Sequence, residues 1–122
     1  MKLSREFTFD AAHSLDHYPA GHANTRVHGH SFRARVTVEG MPDANGQIVD
    51  LEEMGRQLHE TRNKLDHQML NDIDGLEQPT LENLCLFIWD NLQNGLPQIS
   101  AVEVFRDSLG QSCLYQGSQH VH

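Results

Sequence analysis

The sequence predicts an α+β fold in which an antiparallel sheet carries two helices on one face. Three observations support that class: runs of alternating apolar and polar residues toward both ends of the chain, two capped amphipathic segments between them, and no internal repeat of fixed period. The first strand ends near His13. Leu3, Phe7, Phe9 and Ala11 share its parity, while Lys2, Ser4, Glu6, Thr8 and Asp10 take the other face, because side chains two apart in a strand point the same way. Ser14 to Val27, with Pro19, Gly21 and Asn24, reads as an irregular loop. A second strand opens at His28, and His28, His30, Phe32, Ala34, Val36 and Val38 share one face. Gly40, Pro42 and the pair Asn45-Gly46 signal a turn, followed by a short strand over Gln47 to Val49.

Asp50 is placed to cap the first helix, Glu53 completes a pattern like a capping box, and Leu51, Met54, Leu58 and Leu65 form the apolar stripe. The helix ends by Asp66-His67, and Gly75 and Pro79 punctuate a second loop. Thr80 then caps a helix whose Leu81, Leu84, Cys85, Ile88 and Leu92 lie on one face, with Gly95 and Pro97 stopping it. Ile99 to Phe105 and Ser112 to Gln116 make a closing hairpin across a turn containing Gly110.

The length of 122 residues predicts one domain, taken as 1–118 with 119–122 as a terminal tail, and a chain this short gains from assembly. With 9 Lys+Arg against 17 Asp+Glu, the net charge of -8 disfavours nucleic acid or an anionic membrane and points to small molecules or protein partners. No signal peptide or membrane span is expected, since no stretch approaches the ~20 apolar residues of a span, and a cytoplasmic location follows. Cys85 and Cys113 lack zinc or redox spacing, so reduced thiols are expected.

Histidines carry the functional signal. His28 and His30 can reach one ion while Gly29 turns away, and His13 is aimed inward from the neighbouring run. Three neutral imidazoles without a fourth protein ligand are the usual composition of a catalytic zinc site, which keeps one position open. His17 and His22 fall in the adjacent loop and His59 lies mid-helix and solvated. His120 and His122 repeat the two-residue spacing at a terminus without strand context.

A series of motifs in fixed order then identifies a resemblance. Phe7-Thr8-Phe9-Asp10-Ala11-Ala12-His13, His28-Gly29-His30-Ser31-Phe32, Ile48-Val49-Asp50, Leu65-Asp66-His67, Leu70-Asn71-Asp72 and Pro79-Thr80-Leu81-Glu82-Asn83 together resemble the 6-pyruvoyltetrahydropterin synthases. The likeness is greatest to the bacterial 6-carboxytetrahydropterin synthases of queuosine biosynthesis. It implies the tunnelling fold: a four-stranded antiparallel sheet backed by two helices, with sheets joining into an oligomeric barrel as a trimer or hexamer. It implies zinc on His13, His28 and His30, a lyase reaction on 7,8-dihydroneopterin triphosphate, and Asp66-His67 as the proton relay. Family sites lie between subunits, so Asp66, His67 and Asp107 are expected to complete a neighbour's site.

Two positions depart from the family pattern. Asn24 stands where the family has a basic cysteine four residues before His28, and an amide has no useful basicity at neutral pH. Substitute bases are His22, His67 itself, or hydroxide held by zinc. The family's pterin-anchoring glutamate falls on Arg106 when counted forward from Val102-Glu103-Val104-Phe105 and on Asp107 when counted back from Tyr115. One extra turn residue or a bulge would reconcile the counts, and Asp107, a carboxylate, is favoured. The alternative to an active lyase is a non-catalytic or altered-reaction paralogue that binds a pterin-like ligand in a retained zinc pocket.

Overall fold

The structure, a computed structural model, describes residues 1–117. The expected tail and the pair His120 and His122 lie outside the described residues. Strands β1 (Lys2–His13) and β2 (His28–Glu39) are followed by helices α1 (Leu51–Leu65) and α2 (Leu81–Leu92), and then by β3 (Ile99–Arg106) and β4 (Gln111–Tyr115). All neighbours in the sheet are antiparallel, in the order β1-β2-β3-β4. This is the four-stranded sheet with two helices that the resemblance implied.

Parity decides which face is core. Phe9, Ala11, Phe32, Ala34, Val36, Val38, Val102 and Val104 are buried beneath the helices, with Phe9 and Phe32 stacked at 4.9 Å between ring centroids. Met54, Leu58 and Leu65 of α1, and Leu84, Cys85, Ile88 and Leu92 of α2, complete that core. The opposite face is ionic: Arg33 pairs with Glu6 and Asp107, and Arg35 with Glu6 and Glu103, at 2.7–3.5 Å. Helices therefore cover one face only, because the other is charged.

Caps explain where the helices begin. The Asp50 carboxylate accepts the Glu52 N–H at 3.0 Å and the Thr80 hydroxyl accepts the Asn83 N–H at 3.2 Å, satisfying amides that have no intrahelical partner. The expected capping box does not close, since the Glu53 carboxylate turns forward to Arg56 and Gln57. Leu51 is exposed, and the α1 stripe is completed instead by buried Thr61.

The short strand expected over 47–49 does not form. The Asp43 carboxylate takes the N–H groups of Asn45 and Gln47, at 2.8 and 3.1 Å, and the Asp43 N–H reaches the Gln47 carbonyl. Those bonds close the segment on itself as a turn, leaving Ile48 and Val49 to pack on the core edge.

Both cysteines are free. The Cys85 thiol donates to the Cys113 carbonyl at 3.2 Å, and burial pushes it up to about 12. Its thiolate is the reactive form. Iodoacetamide at pH 8 is therefore expected to leave Cys85 unmodified in the folded protein and to label it after denaturation, as read by peptide mass; labelling at equal rates in both states would refute this.

Candidate metal centre

β1 and β2 pair in a register that sets His13 directly opposite His28, with Ala11 opposite His30. The three imidazoles therefore converge at the end of the apolar sheet face, with ring centroids 4.6–5.0 Å apart. One ligand nitrogen from each lies within 4.8 Å of the other two. His13 is fully buried, and His28 and His30 are half-buried.

Hydrogen bonds set the tautomers. His13 Nδ1 lies 3.0 Å from the Pro79 carbonyl and His28 Nδ1 lies 2.7 Å from the Arg26 carbonyl. A carbonyl oxygen only accepts, so both Nδ1 atoms carry the proton and both Nε2 atoms present lone pairs. Those lone pairs face each other across 3.1 Å, an arrangement that is repulsive until a cation lies between them. Burial lowers His13 below the ordinary histidine range, and burial followed by the nearby His13 and Arg106 pushes His30 down to about 4. Neutral imidazoles with directed lone pairs are what a divalent transition metal requires, and carbonyl partners on the far nitrogens are its usual outer shell. His13, His28 and His30 thus fit a metal ion.

A cavity of about 340 Å³ opens beside His28 and His30 and is lined also by Tyr18, Asn24, Arg106 and Gln111. Its outer wall is the loop between β1 and β2. The Leu15 N–H bonds to the Asn24 carbonyl at 2.7 Å, closing that loop on itself. Asn71 clamps the loop's start, with its carbonyl oxygen accepting the Ser14 N–H and its amide donating to the Ser14 carbonyl, both at 2.9 Å. Ordinary polar residues in the sequence, Asn71, Tyr18 and Gln111 acquire these places through contacts distant along the chain; Pro79 and Arg26 contribute only backbone carbonyls, which no side-chain motif announces.

Of the two registers for the residue after β3's apolar run, the structure places Arg106 on the cavity. It continues the parity of buried Val102 and Val104, and its Nε is buried without a hydrogen-bond partner. Asp107 begins a single 3-10 turn, Asp107–Leu109, that ends on Gly110 in the left-handed conformation and absorbs the extra residue. Its carboxylate takes two hydrogen bonds from Arg33, at 3.0 and 3.1 Å, on the ionic face.

Asp66 and His67 stand apart from the cavity. The His67 N–H bonds to the Asp10 carbonyl and the Asp66 carboxylate accepts the Asp10 N–H, so the pair occupies the outer edge of β1. His67 Nδ1 lies 2.8 Å from Asp66 Oδ2, while the ring is 79% exposed. The Asp10 N–H, then His67 and Arg62, hold the Asp66 carboxyl below its usual range. A backbone φ of 59° at His67 turns the chain sharply out of α1. His22 is exposed in the loop, its Nδ1 accepting the Asn24 N–H at 3.0 Å, and its ring stacks on Tyr18. His17 and His59 are exposed.

A family model described as 6-pyruvoyl tetrahydropterin synthase matches residues 2–118. The chain is 38% identical over 109 residues to the 6-carboxy-5,6,7,8-tetrahydropterin synthase of Synechocystis sp., across 84% of this chain and 83% of that one. It is 32% identical over 111 residues to the 6-pyruvoyl tetrahydrobiopterin synthase of Homo sapiens, across 79% and 77% of the two chains. In fold it is similar to the 6-pyruvoyl tetrahydropterin synthase of Caenorhabditis elegans, with a TM-score of 0.86, 21% identity and coverage of 97% and 96%.

Proposed function

Because the chain belongs to the 6-pyruvoyl tetrahydropterin synthase family, we propose that it is a cytoplasmic, zinc-dependent lyase of the 6-carboxytetrahydropterin synthase type. Its substrate is 7,8-dihydroneopterin triphosphate, and its product feeds queuosine synthesis. The observation that carries this reading is the pair of opposed Nε2 lone pairs on His13 and His28, with His30 beside them. Zinc bound by these three residues supplies Lewis acidity toward the substrate's side-chain hydroxyls.

The remaining work falls to the protein's own groups. His67 carries protons, and Asp66 orients its ring and supports the imidazolium form through the 2.8 Å bond. In one chain this pair lies on the edge of β1 and not on the cavity, so the reading requires assembly. β1 and β4 are the outer strands of the sheet; residues 62–69 cover the edge of β1 from Thr8 to Ala12, and the Lys2–Glu6 half of β1 and the edge of β4 are where a second subunit's sheet can continue. A homotrimer, or two stacked as a hexamer, brings His67 of one subunit to the cavity of the next.

A second reading is favoured by one observation, the presence of Asn24 on the cavity wall. An amide there accepts no proton, which suits a paralogue that binds a pterin-like ligand and catalyses a different reaction or none. Anaerobic incubation of zinc-loaded protein with the triphosphate substrate separates the two. The lyase reading expects release of triphosphate and a pterin whose C6 side chain is shortened to a carboxylate, identified by mass. Tight binding without release would leave only the second reading.

A further inference from the structure

We propose that Arg106 makes the histidine cavity a receptor for an oxyanion, so that the ligand enters with a carboxylate or phosphate group against the guanidinium, beside His28 and His30. The inference deepens the pterin reading and rests on it for the choice of probes.

The first argument is the cost of placing an arginine there. Val102 and Val104 are fully buried on the helix side of β3, and Arg106 follows them at the same parity, at the end of an apolar stripe. Its Nε is out of contact with water and no acceptor reaches it among the described residues. A guanidinium has five donors and no acceptor, and none of those of Arg106 makes a hydrogen bond or ion pair among the described residues, so the donors that line the cavity are left for a ligand. The other arginines of the sheet all have acceptors: Arg33 and Arg35 have carboxylate partners on the ionic face, and Arg5 donates to the Leu51 carbonyl.

The second argument is the charge of the cavity. In a chain with 17 acidic residues, no carboxylate among the described residues lines this space. Glu82 and Tyr18 act on Arg106 through space, and neither forms a hydrogen bond or ion pair with it among the described residues. A guanidinium next to a site for a divalent metal, with no acid between them, is complementary to an anion. Its planar fork matches carboxylate and phosphate oxygens two at a time, which a lysine does not. It also opposes a pterin presenting its amino and ring N–H edge at this point, because donor would face donor.

Calorimetric titration of the zinc-loaded protein with pterin, 6-carboxypterin and inorganic triphosphate, at fixed ionic strength, tests this. Arg106→Gln is expected to weaken at least one of the two anions by about tenfold or more while changing pterin less than twofold. Loss confined to 6-carboxypterin assigns the group read to a carboxylate, and loss confined to triphosphate assigns it to a phosphate. Arg106→Lys keeps the charge without the fork and is expected to fall between; it serves as the test variant if the glutamine protein does not fold. Undiminished affinity of both anions for the folded variant, or binding of neither to the unsubstituted protein, would overturn the proposal. Arg106-dependent binding of triphosphate with no binding of either pterin would support it while sinking the pterin reading.

Discussion

His13→Ala is expected to empty the metal centre. Its ring is fully buried, its Nδ1 proton is held by the Pro79 carbonyl, and its Nε2 faces that of His28 at 3.1 Å. Removing an outer-shell partner of a metal ligand typically costs ~10- to 100-fold in affinity, and removing the ligand itself costs more. Zinc content after dialysis is therefore expected to fall from one ion per chain to near zero, with turnover falling alongside it. His59→Ala, on the exposed side of α1, is expected to keep both. A second readout uses linkage: a ligand at 100 times its dissociation constant stabilises the folded state by ~2.7 kcal/mol, so zinc should raise the melting temperature of the unsubstituted protein and not of His13→Ala. An alanine variant that still binds one zinc with unchanged affinity would remove the histidine cluster from the argument.

Asn24→Cys is expected to raise turnover of 7,8-dihydroneopterin triphosphate by roughly 10²- to 10⁴-fold, the usual contribution of a general base. The position favours such a gain. Asn24 lines the cavity beside His28, and its backbone is held independently of its side chain by Leu15 and His22. Its amide makes no hydrogen bond among the described residues, so a smaller thiol replaces it without breaking one. Arg106 in the same cavity favours the thiolate electrostatically. The gain should appear as a pH-dependent rise in kcat that tracks thiol ionisation. An unchanged rate, with thiol reactivity and zinc content verified, would place the obstacle in substrate recognition, where Arg106 and not Asp107 lines the cavity.

How much of this was legible in the sequence depends on the range of the interaction involved. Strand alternation and the caps Asp50 and Thr80 are local, and the structure keeps them. The short strand over 47–49 rested on the Asn45-Gly46 turn signal, which says nothing about whether a partner edge is free; the Asp43 side chain takes the Asn45 and Gln47 amides and closes the segment on itself. The capping box failed for a similar reason, as Arg56 and Gln57 competed for the Glu53 carboxylate. Choosing between Arg106 and Asp107 turned on a count ambiguous by one residue. Parity carried Arg106 into the cavity, and the 3-10 turn took up the remainder.

By itself the sequence determined the fold class, the two helices and the inward aim of His13, His28 and His30, because side-chain direction in a strand repeats every two residues and needs no knowledge of distant neighbours. The tertiary structure decided the rest. Which nitrogen of His13 and of His28 is free depends on carbonyls of Pro79 and Arg26, which residue lines the cavity depends on how β3 ends, and the place of Asp66-His67 depends on Asp10 of β1. Each of these is set by atoms brought together only when the chain closes, and backbone carbonyls in particular carry no signature in the letters of a sequence.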